Sequence, residues 1–249
     1  MPLDLARRLM GRERTYAADQ LLGMTLAFVA GATNAGAFLA VRQYTSHMTG
    51  IFSSLADAVV LHAWQTAMSA VGALLSFLLG AAVCALLVNF GHRRQWRSVY
   101  ATPLLLEAVL MLLFGVLGAR LAHVSGLFVP LTIILLCFMM GLQNAVITKI
   151  SRSVIRTTHV TGMITDLGIE FGRLFYMNAP DANQLPVRAD RTRMRLLASL
   201  LFAFFFGGVL GAVGFQRIGY AATIPLAITL GALGAVPAFD DLSASWHEH

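Results

Sequence analysis

Residues 31–50, GATNAGAFLAVRQYTSHMTG, return in altered form at 141–162, GLQNAVITKISRSVIRTTHVTG. Gly31-Ala32-Thr33-Asn34-Ala35 matches Gly141-Leu142-Gln143-Asn144-Ala145. Thr45-Ser46-His47-Met48-Thr49-Gly50 matches Thr157-Thr158-His159-Val160-Thr161-Gly162. The copies lie 110 residues apart at the asparagines and 112 at the histidines, so two residues separate the blocks in the second copy. Further on, Phe77-Leu78-Leu79-Gly80-Ala81 resembles Phe204-Phe205-Phe206-Gly207-Gly208, a match that apolar sequence makes easily by chance. Asn and His in hydrophobic surroundings are uncommon, so the polar blocks carry the argument for an internal repeat.

The surroundings of those blocks are apolar throughout. Of 249 residues, 57% are hydrophobic and 12% charged, and the mean hydropathy is +0.72. A soluble domain carries about 25% charged residues. The 18 basic and 12 acidic residues leave a net charge of +6. A nucleic-acid binder spreads such an excess over a solvated face, whereas here it falls in short clusters between apolar runs, as in membrane-protein loops. Nucleic acid is therefore not an expected partner. A disulfide scaffold is excluded as well, because Cys84 and Cys137 both lie inside apolar runs.

Six segments approach the roughly 20 residues needed to cross a hydrocarbon core: 21–41, 67–90, 101–121, 127–148, 195–215 and 219–238. The first is span-length and carries Asn34, unlike the plain core of a cleaved signal peptide. Two further stretches, 47–62 and 158–177, are helix-like but polar. With six spans and the N-terminus inside, fifteen of the eighteen basic residues face the cytoplasm, leaving only Arg42, Arg120 and Arg217 outside. Letting both polar stretches span reduces that bias to about ten against eight. The expected class is thus an all-α polytopic membrane protein with six spans and both termini cytoplasmic. A basic segment (1–20) precedes the first membrane repeat (21–121), the second repeat covers 127–238, and a cytoplasmic tail covers 239–249. The paired His247 and His249 in that tail read as a disordered end rather than a metal site.

Each copy contains three spans, an odd number, so the second must insert from the opposite side. Transporters and channels use such inverted repeats to place a site near the midplane. The seven residues from Arg42 to Met48, if extended, reach roughly 23 Å. Residues 49–62 as a helix then return about 21 Å. The polar stretches are accordingly expected as re-entrant loops with half-helices, tolerated at that depth only when buried or facing a water-filled cavity.

At those turns Thr49 and Thr161 are expected as N-caps, with Gly50 and Gly162 allowing close backbone approach. Free N–H groups and the positive helix end favour a negative group. His47 and His159 can donate, accept or titrate near neutral pH, and Asn34 and Asn144 can bind a substrate or pin the loop. An equally serviceable role for these groups is to satisfy the loop backbone, and an interfacial amphipathic helix is a further alternative. Coupling or gating is expected of Asp57, Glu107 and Asp166. Glu107, inside the third span, is costly there unless functional or paired with a loop arginine. A register that aligns Pro103 with Pro225 sets Thr229 opposite it. Glu170 and Arg173 read as a structural ion pair, and Gly207 with Gly211 as a close helix-packing motif.

No nucleotide-binding loop, nucleophile elbow or metalloprotease motif is present, so no catalytic residue, metal or cofactor is expected. The two Asn blocks and the two His-x-Thr-Gly blocks resemble those of the YoaK-like family of bacterial inner-membrane proteins, over about residues 21–238. That resemblance implies a multi-pass bacterial inner-membrane protein and supplies no functional residues, the family's function being unassigned. The expected function is a secondary transporter or channel for a small anion or polar metabolite, with proton linkage through a histidine or Glu107 left open. Lipid bilayer and a small-molecule or ion substrate are the expected partners, and a homo-oligomer is compatible with the sequence. A membrane-embedded enzyme and a non-transporting scaffold are the alternatives.

Overall fold

A computed structural model describes residues 16–96, 98–121, 125–150, 159–177 and 186–246. The expectations for Arg7 to Arg14, Arg97, Arg152, Arg156, Thr157, Thr158, His247 and His249 lie outside these residues. Among the described residues every regular element is a helix: α1 (Tyr16–Val41), α2 (Met48–Val60), α3 (Trp64–Arg93), α4 (Ala101–Leu121), α5 (Ser125–Ile150), α6 (Val160–Phe175), α7 (Arg191–Ile218), a 3-10 turn (Gly219–Ala222) and α8 (Thr223–Trp246). Among the described residues, five stretches are long and apolar enough to cross a membrane: 17–41, 64–93, 101–120, 129–149 and 191–239. The last contains both α7 and most of α8. Gly219, at φ 59°, breaks the helix between them, a conformation that glycine adopts without steric cost. This is a multi-pass membrane protein.

Local chemistry sets several boundaries. Asp190 caps α7, its carboxylate accepting from the backbone N–H groups of Thr192 and Arg193 at 3.0 Å each, which satisfies donors left open at a helix start. Near its C-terminus the chain stays helical through Pro237 to Trp246, so residues 239–246 continue α8.

Small residues decide which helices meet. Gly207 of α7 lies against the backbone of Phe28 on α1, Gly211 against Ala32, and Gly36 of α1 against the Phe215 ring. Chain numbers rise together along this seam, so α1 and α7 run parallel. A second seam has the same form: Ser76 of α3 donates to the Ile134 carbonyl of α5 at 2.6 Å, and Gly80 lies against Phe138. Thus α3 and α5 also run parallel. The reciprocal contacts match as well, Gly31 meeting the Phe204 carbonyl and Gly141 that of Phe77. A Cβ at Gly31, Gly80, Gly141, Gly207 or Gly211 would overlap backbone, which is the close approach that small residues permit in membranes. The seam over Gly207 and Gly211 has the geometry their spacing implied.

The third helix pair, α4 with α8, is antiparallel. Gly115 lies against Thr223 and near the Tyr220 carbonyl, while Gly234 lies against the Ala101 carbonyl. These reciprocal contacts relate α4 to α8 by 119 residues and set Leu226, not Thr229, in the place of Glu107. The proline register is corrected by backbone packing, because Pro225 is exposed while Pro103 is buried.

Candidate functional site

Both His-x-Thr-Gly segments start a helix, and they start it in the same way. The helices begin at Met48 and Val160, with His47 (φ −92°, ψ 69°) and His159 (φ −86°, ψ 56°) as N-caps that make no side-chain capping bond. Thr49 and Thr161 therefore sit inside the first turn, which corrects their expected capping role. The first helical bonds show why: the N–H groups of Ile51 and Met163 reach the His47 and His159 carbonyls, each at 3.1 Å. Gly50 and Gly162 also do something other than admit backbone. Each imidazole folds back over its own glycine, into the space a Cβ would take.

The loop before His47 is bent rather than extended. Arg42 takes a left-handed φ of 58°, and the His47 N–H bonds to the Tyr44 carbonyl at 3.4 Å. Ser46 then donates to Asn34 Oδ1 at 2.9 Å. Asn34 lies seven residues before the end of α1, so the chain doubles back along that helix by roughly 10 Å. That replaces the 23 Å dip of an extended segment, because the turn consumes the length. On the other side Asn144 donates to the Met140 carbonyl at 2.9 Å.

These elements line an open cavity of about 900 Å³. Asn34, His47 and Thr49 line it together with Asn144, His159 and Thr161, so both copies of the polar blocks face one space. Met48 and Val160, and Phe77 and Phe204, extend the matched pairs along its wall, joined by Tyr44, Ser46 and Thr148. No carboxylate is among these lining residues. Neither the histidines nor Thr49 and Thr161 hold a side-chain hydrogen bond to another described residue, so their polar atoms are available to the cavity. Donors at two helix starts add to them. The arrangement suits a hydrogen-bond-accepting or anionic group. No group of three or more metal-ligating side chains occurs among the described residues.

The three acidic candidates lie elsewhere. Asp57 is exposed on α2. Asp166 is bound by Arg193 of α7, Oδ2 to Nη2 at 2.9 Å. Beside it, Glu170 is buried and accepts from Arg173 at 2.8 Å and from the Asp190 N–H at 2.9 Å. The Glu170–Arg173 pair expected from helical spacing is present, and the cluster ties α6 to the start of α7. Glu107 is fully buried and neither oxygen has a hydrogen-bond partner. Among the described residues no loop arginine pairs with it; Arg97, Arg152 and Arg156 lie outside those residues.

Sequence reasoning did not single out Tyr44, Phe77, Phe204 or Gln143. The two phenylalanines were visible only as part of the weak Phe/Gly resemblance. Gln143, buried with both side-chain polar atoms unpaired among the described residues, stands where the first copy has Thr33, and that difference was its only signal.

A family model described as "Protein of unknown function (DUF1275)" matches residues 22–236. The chain is also 29% identical over 160 residues to the UPF0700 transmembrane protein YoaK of Bacillus subtilis (strain 168), covering 64% of this chain and 68% of that protein. No solved structure matches.

Proposed function

This chain belongs to the DUF1275 family, and on that premise we propose that it is a secondary transporter or channel for a small anion or polar metabolite. The observation that carries the proposal is the single cavity lined by both members of each polar pair: Asn34 with Asn144, His47 with His159, Thr49 with Thr161. A merely structural role would consume the polar atoms of those side chains, and the histidines and threonines make no side-chain hydrogen bond among the described residues. The enzyme and scaffold alternatives have no comparable observation behind them.

The same reading takes the two halves as inverted repeats of three spans each, with α7 and α8 as separate spans. Parallel packing of α1 with α7, and of α3 with α5, supports it. The second span of one half runs with the first span of the other only if the halves insert in opposite senses. A continuous 49-residue helix from Arg191 to Phe239 would reach roughly 74 Å, more than twice the hydrocarbon core. The helices α2 and α6 are then shallow re-entrant segments, both termini are cytoplasmic, and the compartment is the bacterial inner membrane. Proton linkage falls to a cavity histidine or to Glu107.

Flux in proteoliposomes tests the site. Candidate anions are screened first. His47→Ala and His159→Ala are then expected to abolish the flux found while melting and size-exclusion profiles stay as in the parent. Unchanged flux in both variants overturns the assignment. A cysteine at Ala63 tests the topology, with little background because Cys84 and Cys137 are buried. Labelling from outside is expected of a re-entrant first segment, and labelling from the cytoplasm rejects it.

A further inference from the structure

Beside the polar cavity, a groove of about 870 Å³ runs between α1, α6 and α7. Leu39, Ile164, Leu167, Leu201 and Phe205 form much of its wall. The two spaces share Asn34, Tyr44, Val160 and Phe204 as lining residues, so they adjoin across these side chains, one space polar and the other apolar. The apolar end opens outward. Phe202 and Phe205 in its wall are 62% and 61% exposed, on a helix within the 191–239 stretch, where a bilayer supplies acyl chains. At the polar end the lining holds two histidines and two helix starts with no carboxylate among the described residues, a setting that favours an anionic head group.

A small solute needs only the polar chamber. A chamber with a lateral apolar extension fits a molecule with a head and a tail, whose chain stays in a hydrocarbon-like setting while its head leaves the lipid surface. We propose that the site takes an amphipathic anion, with its head group between His47 and His159 and its hydrocarbon chain in the groove, admitted sideways past Asn34, Tyr44 and Phe204. This rests on the reading of the polar cavity as a substrate site and names the class of substrate.

Gly208 separates the two ends experimentally. It lines the groove and not the cavity, and a Cβ there meets only the Gly31 carbonyl at an ordinary 3.7 Å. Gly208→Leu therefore fills the groove without displacing backbone, and Ala212→Phe does so from the next turn. The full chain is placed in phosphatidylcholine nanodiscs with a diazirine-bearing twelve-carbon carboxylate, and crosslinks are mapped by peptide mass spectrometry. Labelling of Ile164, Leu201 or Phe205, competed by dodecanoate, is expected. Either groove variant should lower it about tenfold, while labelling of the exposed Leu79 and Leu86 on α3 stays constant. The methyl ester of the probe should label the groove weakly and without competition. Equal labelling by acid and ester means annular lipid only and overturns the proposal. So do groove variants without effect, or crosslinks to a second copy of the chain. If His47→Ala and His159→Ala abolish small-anion flux while groove labelling is non-specific, the cavity reading stands and the amphipathic substrate falls. If these variants change neither flux nor labelling, both fall.

Discussion

The His47 imidazole rests over the first turn of α2 in the volume that a Cβ on Gly50 would occupy, and His159 and Gly162 repeat the arrangement. The glycine thus places the ring and the ring closes over the helix start, so the motif's spacing has a steric cause. Two residues, three apart, set the direction in which a titratable group faces the cavity.

Gly50→Ala and Gly162→Ala should displace the ring rather than the backbone, since the overlapped atoms belong to the imidazole. Flux is expected to fall at least about tenfold, equivalent to roughly 1.4 kcal/mol, with the melting temperature unchanged. Gly168→Ala, where a Cβ meets nothing within 4 Å, serves as the control. It should leave flux intact and add about 0.5–1 kcal/mol of helix stability.

At Gly80 and Gly207 the overlapped atoms are backbone carbonyls, and a flexible side chain cannot move aside. Gly80→Ala and Gly207→Ala should each cost about 1–3 kcal/mol, read as a lower unfolding midpoint in detergent. Because the two seams match, the penalties should be similar, and a large inequality would argue against equivalent packing.

The buried Glu170 carboxylate is held from two sides, by Arg173 at 2.8 Å and by Arg193 at 3.9 Å. Single Arg→Ala changes should be tolerated, because the other guanidinium and the Asp190 N–H remain. Replacing both arginines strands a buried charge and should cost about 3–5 kcal/mol. The signature is a double variant less stable than the two single losses add up to, with limited proteolysis between α6 and α7.

Glu107 presents the opposite case, a buried carboxyl with no hydrogen-bond partner among the described residues. Replacement by an apolar residue removes the unsatisfied group, so Glu107→Leu should raise stability by about 1–3 kcal/mol. If the carboxyl couples protons, the pH dependence of flux disappears in the same variant. Loss of stability instead would show that the carboxyl is satisfied in the membrane.

Much of this molecule is legible one segment at a time. The apolar runs at 21–41, 101–121 and 127–148 become α1, α4 and α5 with shifts of a few residues, because the cost of leaving or entering hydrocarbon is set residue by residue. The polar blocks likewise locate the two helix starts, since His, Thr and Asn are conspicuous in apolar surroundings. The cap is not legible in this way: threonine is the commoner N-cap, and only the backbone bonds from the Ile51 and Met163 N–H groups to the His47 and His159 carbonyls make histidine the first residue outside the helix.

What the sequence alone determined is the membrane class, the helix positions and the pairing of the two polar blocks, all properties of local composition or self-similarity. Tertiary structure decided that α1 runs with α7 and α3 with α5, that the two blocks share one cavity, and that Phe77, Phe204 and Tyr44 belong to it. It also bound Asp166 and Glu170 to α7 while giving Glu107 no hydrogen-bond partner among the described residues. Hydropathy is blind to such choices, because every span is equally at home in lipid. Which spans meet depends on where a glycine on one helix faces backbone on another, as Gly207 faces Phe28, across nearly two hundred residues of chain.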